Sequence, residues 1–300
     1  MTAILAPQGP GPGAANDDAP CICCGGDVWA PHFRVLRRCG DCGFIRADLH
    51  LTEDDVRALY QADYFRGREY GDYVAARDVH EKNFAARFRD IKRLAPGLRS
   101  LFEVGCAYGF WLAYASAQGL PCAGADVCVE GTAYAREVLG QDAVAGDFLT
   151  MDIPEGAYDA VCLWDTIEHL AHPEAFVARA RRILSPGGWL FVTTGDIGSA
   201  AARRRGPRWR MIHPPTHLQY FSRDTLGRLL TRHGFTVASV QSVPVYRSIG
   251  EVLGRLAALG RGLTRRVAGV MAAATPSFLQ RMGFWLDLGD ILFMAGRKDG

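Results

Sequence analysis

Short apolar runs alternate with amphipathic stretches between about residues 100 and 195. The apolar runs, in order, are LFEV, CAGADV, AVAGDF, YDAVCLWD and WLFVTT. Each has the length of a buried strand, whereas the stretches between them place apolar residues at helical spacing. This rhythm predicts successive βαβ units and therefore a buried parallel sheet with helices on both faces.

The rest of the chain divides into segments of different composition. After the βαβ region the sequence predicts a helix at SRDTLGRLLTRHGF, a strand at TVASVQSV, a basic amphipathic region and a last strand at DILFMAGRK. The predicted units are a disordered tail over residues 1–20, a cysteine-rich module over 21–50, a helical lid or linker over 51–97, and an α/β domain over 98–300 with a helical insertion at about 248–283.

A glycine loop follows the first apolar run and opens the first helix of the α/β region. It reads EVGCAYG, with Glu103 ending the strand and Gly105, Ala107 and Gly109 in the loop. Glycines there allow a sharp turn and a close approach of the backbone to a ligand at the helix N-terminus. A pyrophosphate-binding loop has a second glycine where this chain has Ala107, and here the strand itself ends in an acid. Both features favour a ligand without a phosphate group.

Polar residues at the tips of the next strands extend the predicted ligand site. Asp126, followed by Val127, ends the second strand. It stands about 20 positions beyond the loop, where a carboxylate accepts hydrogen bonds from ribose hydroxyls. Asp147 and Phe148 follow the third strand, and this pair suits the amino group and the ring of adenine.

The fourth predicted strand ends in Trp164 and Asp165, which we expect at the crevice where the strand order reverses. His169 lies four residues past Asp165, and His217 lies on the loop after the fifth strand. An imidazole titrates near neutral pH, so either histidine could take a proton from an acceptor, and either could instead be structural. The arginine-rich segment 203–210 could bind an acidic group of the acceptor or lie in solvent.

The motifs EVGCAYG, ADV, GDF, DAVCLWDTIEHLAHP and ILSPGGWLFV, in this order and spacing, resemble those of class I S-adenosylmethionine (SAM)-dependent methyltransferases. The resemblance covers about residues 98–237. It implies a Rossmann-like α/β fold, a seven-stranded sheet in the order 3-2-1-4-5-7-6 with strand 7 antiparallel, and SAM as cofactor. It also implies that Gly105, Ala107 and Gly109 line the methionine end of SAM, Asp126 the ribose, and Asp147 and Phe148 the adenine.

Two Cys-x-x-Cys pairs stand in the N-terminal module. Cys21 and Cys24 form the first pair, Cys39 and Cys42 form the second, and Cys23 could replace Cys21. Paired thiolates at this spacing bind one zinc ion in a closed, tetrahedral structural site, and the alternative is a set of free buried thiols. The remaining cysteines are expected to act as small apolar residues of the core. They are Cys106, Cys122, Cys128 and Cys162.

Composition and charge exclude several classes of protein. The chain of 300 residues is 49% apolar and has a formal net charge of +2, so no overall field holds it on nucleic acid or an anionic membrane. No apolar stretch approaches the ~20 residues of a transmembrane helix, and the N-terminus has no secretory signal. We therefore expect a cytoplasmic protein whose cysteines are thiols or metal ligands.

These features favour an enzyme that methylates a small molecule. The expected acceptor is a sugar, a glycosylated intermediate or another secondary metabolite, with or without an acidic group. Two alternatives stay open, namely an RNA methyltransferase that binds RNA through the zinc ribbon and a non-catalytic zinc-ribbon scaffold. The insertion at 248–283 is expected to form a helical lid or a homodimer surface, with membrane contact as a third alternative.

Overall fold

The computed structural model describes residues 19–33, 35–49, 74, 76–259 and 262–299. The predicted tail up to residue 18, and the predicted lid or linker from residue 51 to residue 73, lie outside the described residues. In the part of the chain that is described, no helix combines the length and the apolar character that a membrane span requires.

The secondary structure follows the predicted alternation closely. In chain order the strands are β1 (Trp29–His32), β2 (Leu36–Cys39), β3 (Ile45–Ala47), β4 (Leu101–Val104), β5 (Cys122–Asp126), β6 (Asp142–Ala145), β7 (Tyr158–Trp164), β8 (Leu184–Gly195), β9 (Gln219–Tyr220), β10 (Phe235–Ser242), β11 (Val245–Ser248), β12 (Gly283–Leu286) and β13 (Ile291–Lys298). The helices are α1 (Arg77–Leu94), α2 (Phe110–Ala117), α3 (Val129–Glu137), α4 (Pro173–Ile183), α5 (Ala200–Arg205), α6 (Arg223–Arg232), α7 (Ile249–Leu259), α8 (Gly262–Ala274) and α9 (Ser277–Arg281).

A seven-stranded sheet forms the centre of the molecule, in the order β10-β13-β8-β7-β4-β5-β6. The neighbours from β6 to β8 are parallel, whereas β13 is antiparallel to both β8 and β10. Numbered within the sheet alone, this order is 3-2-1-4-5-7-6 with an antiparallel seventh strand. The predicted Rossmann-like fold and strand order are therefore confirmed.

Both faces of the sheet are buried, as the nearly continuous apolar strands predict. Successive side chains of β7 alternate between two cores, because a strand points neighbouring residues to opposite faces. Val161 and Leu163 pack into one core, and Ala160 and Cys162 pack into the other. Burial raises the pKa of the Cys162 thiol well above its usual value, so this cysteine is a neutral, small core residue.

The N-terminal module forms a second sheet together with the α/β domain. Strands β1, β2 and β3 are antiparallel, and β9 from the α/β domain adds a fourth strand beside β3. Phe44 of the module packs on Phe221, with ring centroids 5.2 Å apart, and both rings are fully buried. The module is therefore packed on the α/β domain.

Two short paired strands stand at the start and at the end of the predicted helical insertion. Strands β11 and β12 pair antiparallel, from Val245 opposite Leu286 to Ser248 opposite Gly283, and α7, α8 and α9 lie between them in the chain. The insertion connects β10 to β13, and β13 begins at Ile291 opposite the last residue of β8, Gly195. It therefore leaves the sheet at the edge where the parallel strands end.

Candidate active site

The glycine loop between β4 and α2 has a backbone that few side chains tolerate. Gly105, Ala107 and Gly109 all have positive φ angles, +80°, +45° and +73°. A Cβ atom at Gly105 would lie 2.7 Å from the Thr166 hydroxyl oxygen, so only glycine fits between the loop and the segment after β7. The loop thus exposes backbone at the N-terminus of α2, where N–H groups and the helix dipole attract polar ligand groups.

Asp126 ends β5 directly beside this loop. Its carboxylate accepts hydrogen bonds from the backbone N–H of Ala107 and of Cys128, each at 2.8 Å. Burial raises the pKa of Asp126, and these backbone hydrogen bonds oppose the rise. Because a carboxylate has about four lone-pair sites, the two amides orient it and leave capacity for the hydroxyls of a ribose.

Glu103 lies under the loop and has an unusual environment. The side chain is 3% exposed, and its Oε2 atom has no hydrogen-bond partner among the described residues. Burial, and then the charge of Asp126, raise its pKa well above the usual value. A buried carboxyl oxygen without a partner is costly, so this atom fits a site where a ligand supplies the missing donor.

The other predicted cofactor residues take different positions. Asp147 is half-buried, and its carboxylate accepts a hydrogen bond from the Leu149 N–H at 2.9 Å. Val127 is 40% exposed beside Asp126. Phe148 and Trp164, the two aromatic residues among them, pack against other side chains of the protein. The ring of Phe148 lies in the core, with its centroid 5.7 Å from that of Phe102. The indole of Trp164 packs between other core rings, with its centroid 5.2 Å from that of Trp111.

The segment after β7 and the loop before β9 meet beside the glycine loop. Glu168, His169 and His217 offer ligand atoms that all lie within 4.8 Å of one another, close enough to hold a metal ion. All three side chains are buried. Asp165, which precedes them, has a positive φ of +49°, a strained conformation for a residue other than glycine. The two predicted histidines are therefore brought together, and Glu168, to which no sequence pattern pointed, joins them.

Backbone carbonyl groups determine which nitrogen of each histidine carries the proton. Nδ1 of His169 lies 2.8 Å from the carbonyl oxygen of Thr216, and Nδ1 of His217 lies 2.9 Å from that of Met211. A carbonyl oxygen only accepts, so each Nδ1 donates and each Nε2 carries the lone pair of the neutral ring. Burial, and then the charges of His169 and His213, lower the pKa of His217, which keeps its ring neutral.

Glu168 differs from an ordinary surface carboxylate. It is 2% exposed, and neither carboxyl oxygen has a hydrogen-bond partner among the residues described. Burial, followed by the negative charge of Asp165, raises its pKa to about 8. A positive charge formed on a neighbouring histidine would favour the carboxylate form, because opposite charges within about 4–6 Å stabilise each other.

A family model described as a methyltransferase domain matches residues 69–240, more than half of the chain. The chain belongs to this methyltransferase-domain family.

Among curated proteins, the ubiquinone biosynthesis O-methyltransferase of Thiobacillus denitrificans is 27% identical over 123 residues, which are 39% of this chain and 53% of that protein. The protein of the same name from Burkholderia thailandensis is 30% identical over 152 residues, 48% of this chain and 65% of that protein. The chain thus spans less than two thirds of the length of each relative.

Solved structures agree with the family assignment at the level of the fold. A SAM-dependent methyltransferase of Thermotoga maritima superposes with a TM-score of 0.52 at 18% sequence identity. The superposition covers 79% of the present chain and 99% of the Thermotoga maritima protein. At such an identity the similarity shows a shared fold alone.

The N-terminal module brings four cysteines together. The sulfur atoms of Cys21, Cys24, Cys39 and Cys42 all lie within 4.8 Å of one another. Two of the distances are 3.5 Å (Cys21 to Cys42) and 3.6 Å (Cys24 to Cys39). Tetrahedral zinc with Zn–S bonds of about 2.3 Å places sulfurs about 3.8 Å apart, so the cluster has the size of such a site.

Cys23, the spare cysteine, lies outside this cluster but touches it. It is 3% exposed, and burial raises its pKa far above the usual value, so it stays a neutral thiol. A hydrogen bond from Cys23 is the largest of the influences that lower the pKa of Cys21 to about 4. Cys23 therefore supports the thiolate form of Cys21.

The chain also contains a cavity of about 180 Å³ under the insertion. It is lined by Val243, Val245, Val252, Leu256, Leu286, Leu288 and Ile291, by Arg210, Arg247 and Arg255, and by Glu251 and Asp290. Asp290 is neutralised by Arg210, whose Nη2 donates to Oδ1 at 2.8 Å. Arg247 is paired with Glu251 of the same lining, with Nη1 and Oε1 3.9 Å apart. Arg210 belongs to the arginine-rich segment 203–210, whereas no sequence pattern pointed to Arg247.

Proposed function

We propose that this methyltransferase transfers the methyl group of SAM to a hydroxyl group of a small-molecule acceptor. One observation carries the proposal: the glycine loop touches the segment that holds Glu168 and His169. Thr166, three residues before His169, would meet a Cβ atom at Gly105 within 2.7 Å. The relatives named ubiquinone biosynthesis O-methyltransferases support oxygen as the methylated atom.

The loop side of this site fits the cofactor. When bound, SAM supplies an activated methyl group on a positively charged sulfur, so the protein has mainly to position the acceptor. Asp126 is oriented to accept from the ribose, and the buried Oε2 of Glu103 needs a donor such as an amino group. Asp147 and Val127, at the tips of neighbouring strands, would border the adenine.

His217 is the proposed base on the acceptor side. Its Nδ1–H donates to the Met211 carbonyl, so the lone pair of Nε2 can accept the proton of an acceptor hydroxyl. Proton transfer creates a positive imidazolium, which the ionised form of Glu168 would stabilise. His169 packs edge to face on His217, with ring centroids 4.6 Å apart, and holds it in place.

The cavity under the insertion supports an amphipathic acceptor. Its apolar walls suit a ring or a short apolar chain, since a cavity of about 150 Å³ holds a benzene molecule. Arg255 suits an acidic group on the same molecule, because the Asp290 carboxylate already neutralises Arg210 and Glu251 pairs with Arg247 at 3.9 Å. The acceptor predicted from the sequence, a sugar or another secondary metabolite, remains a proposal within this class.

We also propose that the four clustered cysteines bind one structural zinc ion. The sulfur separations support a tetrahedral site, and four protein ligands leave no position for a substrate. The thiolate form that metal binding requires is already favoured at Cys21. The zinc would thus stabilise the module rather than take part in methyl transfer.

The first experiment separates cofactor binding from catalysis. Titration calorimetry with SAM should show micromolar binding by the full chain and at least tenfold weaker binding by Asp126→Asn. The purified protein, methyl-labelled SAM and a panel of phenols, aromatic hydroxy acids, sugars and RNA should then give labelled product with a hydroxylated aromatic acid. Absence of SAM binding at millimolar concentration would refute the proposal, and labelling of RNA alone would replace the acceptor class.

A chelator added to the same assay tests whether the histidine cluster acts as a base or binds a metal ion. If His217 acts as the base, turnover with the identified acceptor is unchanged by EDTA. Activity that is lost in EDTA and restored by Mg²⁺ would instead show that Glu168, His169 and His217 bind a divalent cation. Zinc in the cysteine module would resist brief EDTA treatment, because its site is closed.

A further inference from the structure

The insertion displays large apolar side chains to solvent. Leu263, Val270 and Phe278 are 76%, 69% and 66% exposed. In α8 the residues Leu263, Val267, Val270 and Met271 recur at helical spacing, so they form one apolar stripe, and the small residue Ala268 is the one buried instead. This stripe faces away from the protein, opposite to the orientation in an ordinary surface helix.

Large apolar side chains are also exposed on the elements that follow. Phe278 of α9, Met282, and Phe284 and Trp285 of β12 are all exposed. We call the exposed apolar residues from Leu263 to Trp285 the insertion patch. Large apolar side chains exposed within one short insertion mark a site of contact with another molecule or with a membrane.

The charge around the insertion patch has a single sign. From Val252 to Leu286 the sequence contains five arginines and neither Asp nor Glu. Arg265, Arg266 and Arg281 are exposed, and none of the three forms an ion pair with another described residue. The whole chain, by contrast, has a formal net charge of only +2. The positive charge is therefore concentrated beside the apolar side chains.

This combination distinguishes between occupants. In a two-fold dimer the same patch faces itself, so the arginines of one copy would approach those of the other and repel them. A lipid surface with acidic headgroups provides apolar depth for the large side chains and negative charge for the guanidinium groups. We propose that the insertion patch docks the protein on the surface of an anionic membrane.

The proposed docking is peripheral and does not depend on the methyltransferase activity. The part of the chain that is described contains no helix fit to span a bilayer, so the insertion would lie in the interface. The patch belongs to the element that also lines the cavity, through Val252, Arg255 and Leu286. Docking would hence place the cavity close to the membrane surface.

Vesicle flotation tests this proposal with the full chain. We expect binding to vesicles of phosphatidylcholine with 30% phosphatidylglycerol, at least tenfold weaker binding to phosphatidylcholine alone, and loss of binding at high salt. The variant Leu263→Ser/Phe278→Ser/Trp285→Ser removes apolar contacts, and Arg265→Gln/Arg266→Gln/Arg281→Gln removes charge. Each should lower the vesicle partition coefficient at least tenfold.

The matched control is Arg204→Gln/Arg205→Gln/Arg208→Gln, which removes as many exposed arginines from a different surface. It should bind vesicles within twofold of the unmodified protein. Circular dichroism, thermal melting and SAM titration verify that each variant is folded. The proposal would be overturned if the control lost binding equally, or if the unmodified protein did not bind vesicles at millimolar lipid. It would also be overturned if sedimentation velocity showed a dimer that the apolar variant converts to a monomer.

Discussion

The rings of His169 and His217 lie edge to face, with their centroids 4.6 Å apart, although they come from separate segments of the chain. A backbone bridge connects those segments: the Leu218 N–H donates to the Glu168 carbonyl at 2.8 Å. The Leu218 carbonyl in turn accepts from the Ala47 N–H of the cysteine module at 2.7 Å. The backbone of Leu218 is thus bonded both to the cysteine module and to the segment that holds His169.

The first prediction concerns the histidine cluster itself. His217→Gln should lower kcat by about 10²–10⁴, the usual contribution of a positioned general base. Glu168→Gln should lower kcat as well, because it cannot carry the compensating negative charge. Both changes should leave the Kd for SAM within threefold.

The control for that pair is His172→Gln, whose side chain is 53% exposed close to the same segment. It should retain full kcat. Single-turnover kinetics with the identified acceptor measure the chemical step directly. An unchanged rate in His217→Gln would remove that residue from the mechanism.

A second prediction links the metal to the histidine loop. Cys24→Ser removes one of the four clustered sulfurs, so zinc content should fall from about one ion per chain to near zero. Because β3 pairs with β9, the backbone at residues 216–221 should then exchange its amide hydrogens faster. Plasma mass spectrometry and hydrogen exchange measure the two effects.

The adjacent Cys23→Ser is the matched control for the metal site. Cys23 lies outside the cluster, so this variant should keep its zinc and its slow exchange. Loss of zinc from Cys23→Ser, with retention in Cys24→Ser, would mean that the ligand set is different from the one described.

A third prediction concerns the glycine loop. Gly105→Ala requires a side chain at a φ of +80° and a Cβ atom 2.7 Å from the Thr166 hydroxyl. We expect a loss of about 1–3 kcal/mol of unfolding free energy and at least tenfold weaker SAM binding. Gly97→Ala is the control, since an added methyl there meets nothing within 4 Å. Denaturant unfolding measures the stability and calorimetry measures SAM binding. Equal stability and equal SAM affinity of the two variants would show that the loop accepts a side chain at residue 105.

A fourth prediction is a pH effect from His80 in α1. Burial, and then the charge of Arg247, lower the pKa of His80 to about 4. Between pH 6.5 and pH 4 the unfolded chain therefore binds a proton that the folded chain does not, so stability decreases as the pH falls through this window. The partly accessible ring should contribute about 2 kcal/mol to that decrease.

His80→Gln should remove this contribution while it keeps a polar side chain. Its unfolding free energy should depend less on pH between pH 7 and pH 4 than that of the unmodified protein. Urea unfolding at intervals across this range gives the comparison. Parallel stability curves for the two proteins would show that His80 does not titrate with a lowered pKa.

Much of this protein could be predicted from local pattern. The alternation of strands and helices and the cysteine pairs follow from periodicity and spacing, because each depends on short-range rules. The strand order and the antiparallel last strand were expected only from the resemblance to class I methyltransferases. Phe148 and Trp164 show where such rules end: both follow the motif, yet their rings lie in the core against Phe102 and Trp111. Which side of a strand tip faces a ligand depends on packing by other elements.

The sequence by itself determined the family of folds, the glycine loop, Asp126 and the four clustered cysteines, since these arise from residues close together in the chain. Only the tertiary structure decided that Glu168 joins His169 and His217, that β9 completes the sheet of the cysteine module, and that Arg210 and Arg247 line one cavity. These contacts join segments far apart in sequence. Their geometry depends on how whole elements pack, which no local spacing specifies.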